Sequence, residues 1–238
     1  MFENRIQHLA FLKERFHIQA TPQQFMIALA GNPNVGKSTI FNELTGLRQH
    51  TGNWPGKTVD NAQGTFHYFE QEFLLVDLPG TYSIMAHSME EEIARDFICE
   101  AKPDATLIVV DASSLERNLN LALQVMNITS KVVVCVNLLD EAKRKGIDVN
   151  LNRLSEQLGV PVVGTTARTG EGMEDLKRTL FEVANNEINS TPRKVQMDSA
   201  DPSEDEIVAT LYQHAEQISQ QVVQKKAAEK KISRTSSG

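Results

Sequence analysis

The most constraining feature of this sequence is a glycine-rich stretch between a short apolar run and a segment with helical periodicity. It reads GNPNVGKS over residues 31–38 and matches the pattern G-x-x-x-x-G-K-[ST]. Glycine lets the backbone curl until its N–H groups converge on phosphate oxygens, and the N-terminus of the following helix adds positive potential. Lysine and serine at the last two positions supply a mobile positive charge and a hard oxygen ligand for Mg²⁺. The stretch therefore predicts a phosphate-binding loop between a strand and a helix.

Strand-like and helix-like patterns alternate around this loop. Five short apolar runs predict buried parallel strands, because both faces of such strands are covered. These runs are 25–30, 73–77, 106–111, 131–137 and 160–165, and helical periodicity falls at 37–46, 89–101, 114–128, 150–158 and 172–184. A less regular run at 59–68 predicts an antiparallel edge strand. The alternation predicts a three-layer α/β fold with a six-stranded, mostly parallel sheet and one antiparallel edge strand.

The two ends of the chain differ in composition from this α/β block. Residues 1–23 predict one amphipathic helix that packs on the domain or on a partner, and residues 24–186 form the domain itself. Residues 187–203 are polar and acidic, which is typical of a linker. Residues 204–238 predict a helix with an apolar stripe, followed by a basic tail.

Composition excludes several classes of protein. The chain has 24 basic and 31 acidic residues, a net charge of −7, which disfavours a dedicated nucleic-acid binder. No apolar run approaches the roughly 18–20 residues needed to cross a bilayer. Two cysteines, Cys99 and Cys135, are too few for a disulfide framework or a zinc site.

Two further motifs indicate which base the site would accept. The first, N-x-x-D, follows a predicted strand and comprises Asn137, Leu138 and Asp140. A carboxylate there can accept from N1–H and the 2-amino group of guanine, whereas adenine would leave it unpaired. The second, TARTGEG over 166–172, is either a helix-entry turn or a loop whose Ala167 N–H donates to guanine O6.

The stretch DLPG over 77–80 completes the set. Asp77 would hold an Mg²⁺-bound water, the Gly80 N–H would meet a γ-phosphate, and Thr58 would close over the Mg²⁺. Four motifs in this order predict a P-loop NTPase domain of Ras-like architecture, with in-line attack of water on the γ-phosphate of GTP. The predicted nucleotide and Mg²⁺ contacts are Asn32, Asn34, Val35, Gly36, Lys37, Ser38, Thr39, Gly56, Thr58, Asp77, Gly80, Asn137, Leu138, Asp140, Thr166, Ala167 and Arg168. Those predicted to take part in catalysis are Asn34, Lys37, Thr58 and Gly80.

The stretches GNPNVGKSTIFNELTG, HTGNWPGKTVDNAQG and DLPGTYSIMAHSMEEEIARDFI resemble the N-terminal G domain of the FeoB family of bacterial ferrous-iron transporters. The resemblance covers about residues 24–185. It implies GTP hydrolysis coupled to Fe²⁺ uptake, at the cytoplasmic side of the inner membrane, with a membrane-spanning permease domain as partner. It also implies switch loops at about 47–60 and 78–92. A potassium ion would be held by Asn34 and by carbonyls of residues 52–56, Gly56 included.

Departures from the family pattern qualify this reading. Thr81 stands where Ras-like proteins commonly carry a glutamine that orients water, so hydrolysis should be slow or helped by another group. The resemblance to FeoB implies that potassium stimulates it. The alternatives are a nucleotide-sensing switch with negligible hydrolysis and a ribosome-assembly GTPase. Leu138 replaces a lysine, which predicts weaker base affinity. Lys57, beside Thr58, would compete with the potassium ion, reach phosphate or point at solvent.

The segment after the domain also departs from the family. The helical bundle that usually follows the G domain is expected to be absent or truncated. The apolar stripe of the 204–224 helix would then be exposed, and self-association would be one way to cover it.

Overall fold

The computed structural model describes residues 2–46, 49–85, 87–188, 190–197 and 199–225. The predicted basic tail from residue 226 onward lies outside these ranges, as do Leu47 and Arg48 of the first predicted switch loop and Ala86 of the second.

The core of the fold is a sheet that has seven strands within the described ranges, in the order β2-β3-β4-β1-β5-β6-β8. The strands are β1 Phe25–Gly31, β2 Gln49–Asn53, β3 Asp60–Tyr68, β4 Gln71–Asp77, β5 Ala105–Asp111, β6 Val132–Asn137, β7 Ile147–Val149, β8 Val162–Gly164 and β9 Val223–Lys225. β1 pairs in parallel with β4 and β5, β5 with β6, and β6 with β8. The predicted α/β fold class is confirmed.

The antiparallel side of the sheet has one more strand than predicted. β3 pairs antiparallel with both β4 and β2, so the edge strand is β2 rather than the predicted 59–68 segment. The sequence of β2, QHTGN, has no apolar alternation, because backbone pairing at the edge of the sheet holds it rather than burial of side chains. The pattern of apolar residues in the sequence could therefore not predict β2.

Helices cover both faces of the sheet. They are α1 Phe2–Phe16, α2 Lys37–Thr45, α3 Met89–Asp96, α4 Leu115–Ile128, α5 Leu139–Arg144, α6 Leu151–Leu158, α7 Met173–Ala184 and α8 Glu204–Val222. α2 and α7 pack on one face, whereas α1, α3, α4, α6 and α8 contribute to the core of the other. The predicted 89–101 helix is α3 followed by one π-helical turn at Phe97–Ala101.

Alternation along the central strands explains why there are two cores. In β1, Met26 and Ala28 point into one core, while Ile27 and Leu29 point into the other. All four side chains are buried, so β1 reads as a continuous apolar run. The polar residues that follow such strands lie at their carboxyl ends, which meet along one edge of the sheet.

The apolar stripe of α8 is not exposed, which corrects the sequence-based expectation. Leu211, Ala215, Ile218 and Val222 are buried in the core shared with α4 and α6. The polypeptide then pairs β9 with β7 antiparallel. The stripe therefore finds its partner within the chain, and it no longer argues for self-association.

No helix in the described part of the chain has both the length and the apolar character needed to span a membrane.

Candidate nucleotide-binding site

The predicted phosphate loop connects β1 to the first turn of α2, as expected. Asn34 and Gly36 have positive φ angles of 66° and 83°, and turns with such residues let successive N–H groups converge on an anion. A side chain at position 36 would collide with the amide of Asn137, so only glycine fits there. Asn32 is buried, and its Nδ2 has no hydrogen-bond partner among the described residues. A buried donor of this kind is suited to an acceptor brought by a ligand.

The two charged residues of the site contact each other. Lys37 Nζ pairs with the carboxylate of Asp77, at the end of β4, and donates to Leu78 O at 2.9 Å. Burial raises the pKa of Asp77 above its ordinary value, and the positive charge of Lys37 opposes that rise. The side chain of Ser38 is exposed at the start of α2, next to this pair, and Thr39 is partly buried. Lys37 and Asp77 thus neutralise each other where phosphate and Mg²⁺ are predicted to bind.

The loop after β4 lies against the phosphate loop. A Cβ atom on Gly80 would contact Pro33 at 3.6 Å, and Thr81 N donates to Gly31 O at 3.3 Å. Gly80 is therefore held close to the phosphate loop. Thr81 is buried, with 5% of its surface exposed, and its side chain has no amide that could orient water.

Asn137 connects three segments of the site. Its Nδ2 donates to Val35 O at 3.1 Å, and its Oδ1 accepts from Thr165 Oγ1 at 2.9 Å and from Ala167 N at 3.2 Å. Only 1% of its surface is exposed. Asn137 therefore braces the phosphate loop against the predicted base-binding loop. In this structure the Ala167 N–H donates to Asn137, and its contact with guanine O6 stays a prediction.

Asp140 lies in the first turn of α5, which begins after Leu138 in a left-handed conformation with φ 61°. The Asp140 carboxylate lies 3.4 Å from Arg168 and 3.9 Å from Arg144, and it stays partly exposed. The neighbouring Thr166 is buried, at the start of the 167–169 turn. The structure therefore brings the two predicted base-reading motifs together.

The turn between β2 and β3 is the part of the predicted site that lies apart. Thr58 is exposed, and a Cβ atom on Gly56 would meet nothing within 4 Å. Among the described residues, no hydrogen bond joins this 54–59 turn to the phosphate loop. The structure thus does not bring Thr58 or Gly56 over the site.

Lys57 makes a contact that its three predicted alternatives did not include. Its Nζ pairs with the carboxylate of Glu92 on α3. The hydrogen bond and the charge of Lys57 lower the pKa of Glu92. The lysine therefore ties the 54–59 turn to α3, whose first turn lies within the second predicted switch loop.

Sequence reasoning missed two polar residues that organise the site. Thr165 precedes the TARTGEG motif and is fully buried, with its hydroxyl also 3.2 Å from Cys135 Sγ. Gln124, on α4, accepts from Ile84 N at 2.8 Å and Ser83 Oγ at 3.0 Å, which fixes the second switch loop. Gln124 could have been found from the sequence, because it is a polar residue among the apolar residues of α4.

Comparisons with known proteins agree with this architecture. The family described as Ferrous iron transport protein B (FeoB_N) matches residues 25–180. The Fe(2+) transporter FeoB of Escherichia coli (strain K12) is 42% identical over 169 residues, which are 69% of this chain and 22% of that protein.

Two solved structures are also similar. The G domain of the T. maritima FeoB iron transporter is 42% identical, with a TM-score of 0.64, over 68% of this chain and 99% of that one. The cytosolic domain of the same transporter in a GMPPNP form is 29% identical, with a TM-score of 0.76, over 84% of this chain and 100% of that one.

This chain spans about a fifth of the length of the curated relatives that it matches. The family match itself covers more than half of the chain and includes all four motifs, at 31–38, 77–80, 137–140 and 166–172. The chain therefore belongs to the FeoB_N family, Ferrous iron transport protein B.

Proposed function

We propose that this chain is a GTPase: it binds GTP and hydrolyses it to GDP and phosphate, as the G domain of a bacterial ferrous-iron transporter. One observation carries the proposal. The phosphate loop, the Lys37–Asp77 pair and the two base-reading motifs lie together at the carboxyl edge of the sheet, braced by Asn137. A T. maritima relative has been solved in a GMPPNP form, which supports a nucleotide at this place.

The residues around the loop fit a nucleotide with Mg²⁺. Ser38 and Asp77 offer hard oxygen ligands, with Thr58 as a third once the 54–59 turn closes. When bound, Mg²⁺ would neutralise charge on the phosphates. Lys37 now pairs with Asp77. Because the lysine side chain is long and flexible, its ammonium group would move from Asp77 to the phosphate oxygens of a bound nucleotide. Asp140 would accept hydrogen bonds from the guanine edge, and Asn137 would hold the phosphate loop and the 166–172 loop in their relative positions.

Hydrolysis is proposed to be slow and stimulated by potassium. Thr81 is buried and carries no amide to orient water, so another group must help to stabilise the transition state. The exposed side chain of Asn34, in the phosphate loop, is the proposed K⁺ ligand together with carbonyls near Gly56. The wider role follows from the family: coupling or gating of Fe²⁺ uptake by a membrane-spanning permease domain, from the cytoplasmic side of the inner membrane.

Phosphate release measured in equal concentrations of KCl and NaCl tests this proposal. Turnover should be faster in KCl, and Asn34→Ala should remove that difference while nucleotide affinity is kept. Arg153→Ala, a change on the exposed side of α6, is the matched control and should retain the potassium effect.

The second candidate is a guanine-nucleotide switch with negligible hydrolysis, and the burial of Thr81 favours it. Tight GTP binding without phosphate release in either salt would establish this second candidate and overturn the first.

A further inference from the structure

Trp54, the only tryptophan of the chain, lies at the start of the 54–59 turn with 2% of its surface exposed. Its ring meets Phe16, the last residue of α1, edge-on at 6.3 Å between centroids. It also meets Phe97, just after α3, at 5.6 Å and 71°. Phe16 and Phe97 contact each other at 5.2 Å. We call the surface that Phe16 and Phe97 form for the Trp54 ring the aromatic seat.

Ion pairs hold the elements around the aromatic seat together. Arg15 on α1 lies 3.1 Å from Glu100 and 3.5 Å from Asp96, so α1 is tied to α3 and its extension. Lys57, three residues after Trp54, is tied to Glu92 on α3. The 54–59 turn therefore has two anchors, and both face α1 and α3 rather than the phosphate loop.

The aromatic seat holds Trp54 with one polar group unsatisfied. Trp54 Nε1 is buried and has no hydrogen-bond partner among the described residues. A buried indole N–H without an acceptor weakens the gain from burying the ring. The Lys57–Glu92 pair is half-exposed, so water screens its attraction and it is the weaker of the two anchors. The packing of the rings therefore favours the seated state, while the unpaired Nε1 and the screened ion pair reduce how strongly it is favoured.

We infer that α1 is an autoinhibitory latch, which holds the 54–59 turn open through the aromatic seat and the Lys57–Glu92 pair. The inference rests on the proposed function. Thr58 must close over a bound GTP, and it is exposed while Trp54 is seated. Closure therefore competes with seating, and a protein that spends most of its time seated shows a weaker apparent affinity for GTP. GDP, which does not need the closed turn, escapes this competition.

The emission of Trp54 reports directly on the latch, because no second tryptophan contributes. The nucleotide-free protein should emit at short wavelength and resist quenching by acrylamide. GMPPNP with MgCl₂ and KCl should shift the emission to longer wavelength and increase quenching, whereas GDP should change neither. An unchanged emission with GMPPNP bound would overturn the latch.

Phe16→Ala should open the latch without nucleotide. Its emission should already be red-shifted, and its affinity for GMPPNP should rise by about tenfold, while its affinity for GDP stays the same. Ile6→Ala is the matched control, since Ile6 lies on the same helix with 52% of its surface exposed. It should behave as the wild type in both measurements.

Glu92→Gln tests the second anchor without entering the core. It should raise the affinity for GMPPNP by a smaller factor than Phe16→Ala does. If Phe16→Ala fails to fold, the result for Glu92→Gln tests the latch in its place. A folded Phe16→Ala or Glu92→Gln protein with unchanged or weaker GMPPNP binding would overturn the latch alone. A wild type that binds no guanine nucleotide would overturn the proposed function as well, so the two failures are distinguishable.

Discussion

The same substitution at two buried threonines measures what the Asn137 brace contributes. Thr106, near the start of β5, and Thr165, just after β8, are both fully buried. The Thr165 hydroxyl donates to Asn137 Oδ1 at 2.9 Å and lies 3.2 Å from Cys135 Sγ. The Thr106 hydroxyl has no hydrogen-bond partner within the described part of the chain. Valine has nearly the shape of threonine, so each change removes a hydroxyl and little else.

The expected stabilities differ in sign. Thr165→Val removes the buried hydrogen bond to Asn137 Oδ1, which keeps only its bond from Ala167 N, and the contact with Cys135 Sγ. This should lower the free energy of unfolding by about 1–2 kcal/mol. Thr106→Val removes a hydroxyl that is buried without a partner, which should leave stability unchanged or raise it by up to about 1 kcal/mol. In a chain of this size, each kcal/mol moves Tm by roughly 2–4 °C.

The assays are urea unfolding followed by the emission of the single tryptophan, and binding of a fluorescent guanine nucleotide. Thr165→Val should also weaken nucleotide binding by about 3- to 10-fold, on the order of 1 kcal/mol, because Asn137 holds the two loops less firmly. Thr106→Val should leave binding unchanged. Equal losses of stability at both positions, or a Thr165→Val protein that binds nucleotide as tightly as the wild type, would refute the brace.

Four further outcomes are expected. Lys37→Ala should weaken GTP binding by about 10- to 100-fold, since it removes a charge-assisted phosphate contact; calorimetry checks this, and unchanged affinity would remove its role. Asp140→Asn should shift preference from guanine to xanthine nucleotides, whose C2 carbonyl accepts from an amide; competition binding decides. Burial raises the pKa of Cys135 to about 12, so a maleimide should label exposed Cys99 in the folded protein and reach Cys135 only after unfolding. Because the pKa of Asp77 is raised, the folded state holds its proton more tightly than the unfolded chain does. The stability of the wild type relative to Asp77→Asn should therefore fall as pH rises from below the ordinary aspartate range, and urea titrations across that range that run parallel would contradict this.

The sequence allowed the core of the site to be predicted because each motif follows a strand whose burial is visible as an apolar run. Parallel strands end at one edge, so the residues after 25–31, 73–77 and 131–137 had to meet there. The β2 strand escaped prediction because its backbone, rather than its side chains, holds it. The position of α8 escaped because an apolar stripe shows that a helix needs a partner, but not that the partner is α4 of the same domain.

Lys37 and Lys57 differ in what holds them, and this difference orders the events of binding. Lys57 and Glu92 are both partly exposed, so water screens their attraction and the pair is easily exchanged. Lys37 and Asp77 are mostly shielded from water, with 12% and 21% of their side chains exposed. If Lys37 moved to phosphate alone, Asp77 would be left as an unpaired charge in a shielded place, which is costly. A cation that takes over Asp77 removes that cost, and Mg²⁺ prefers such carboxylate oxygens. Nucleotide affinity should therefore depend steeply on Mg²⁺ through the Lys37–Asp77 pair, whereas the Lys57–Glu92 pair adjusts only how readily the 54–59 turn follows.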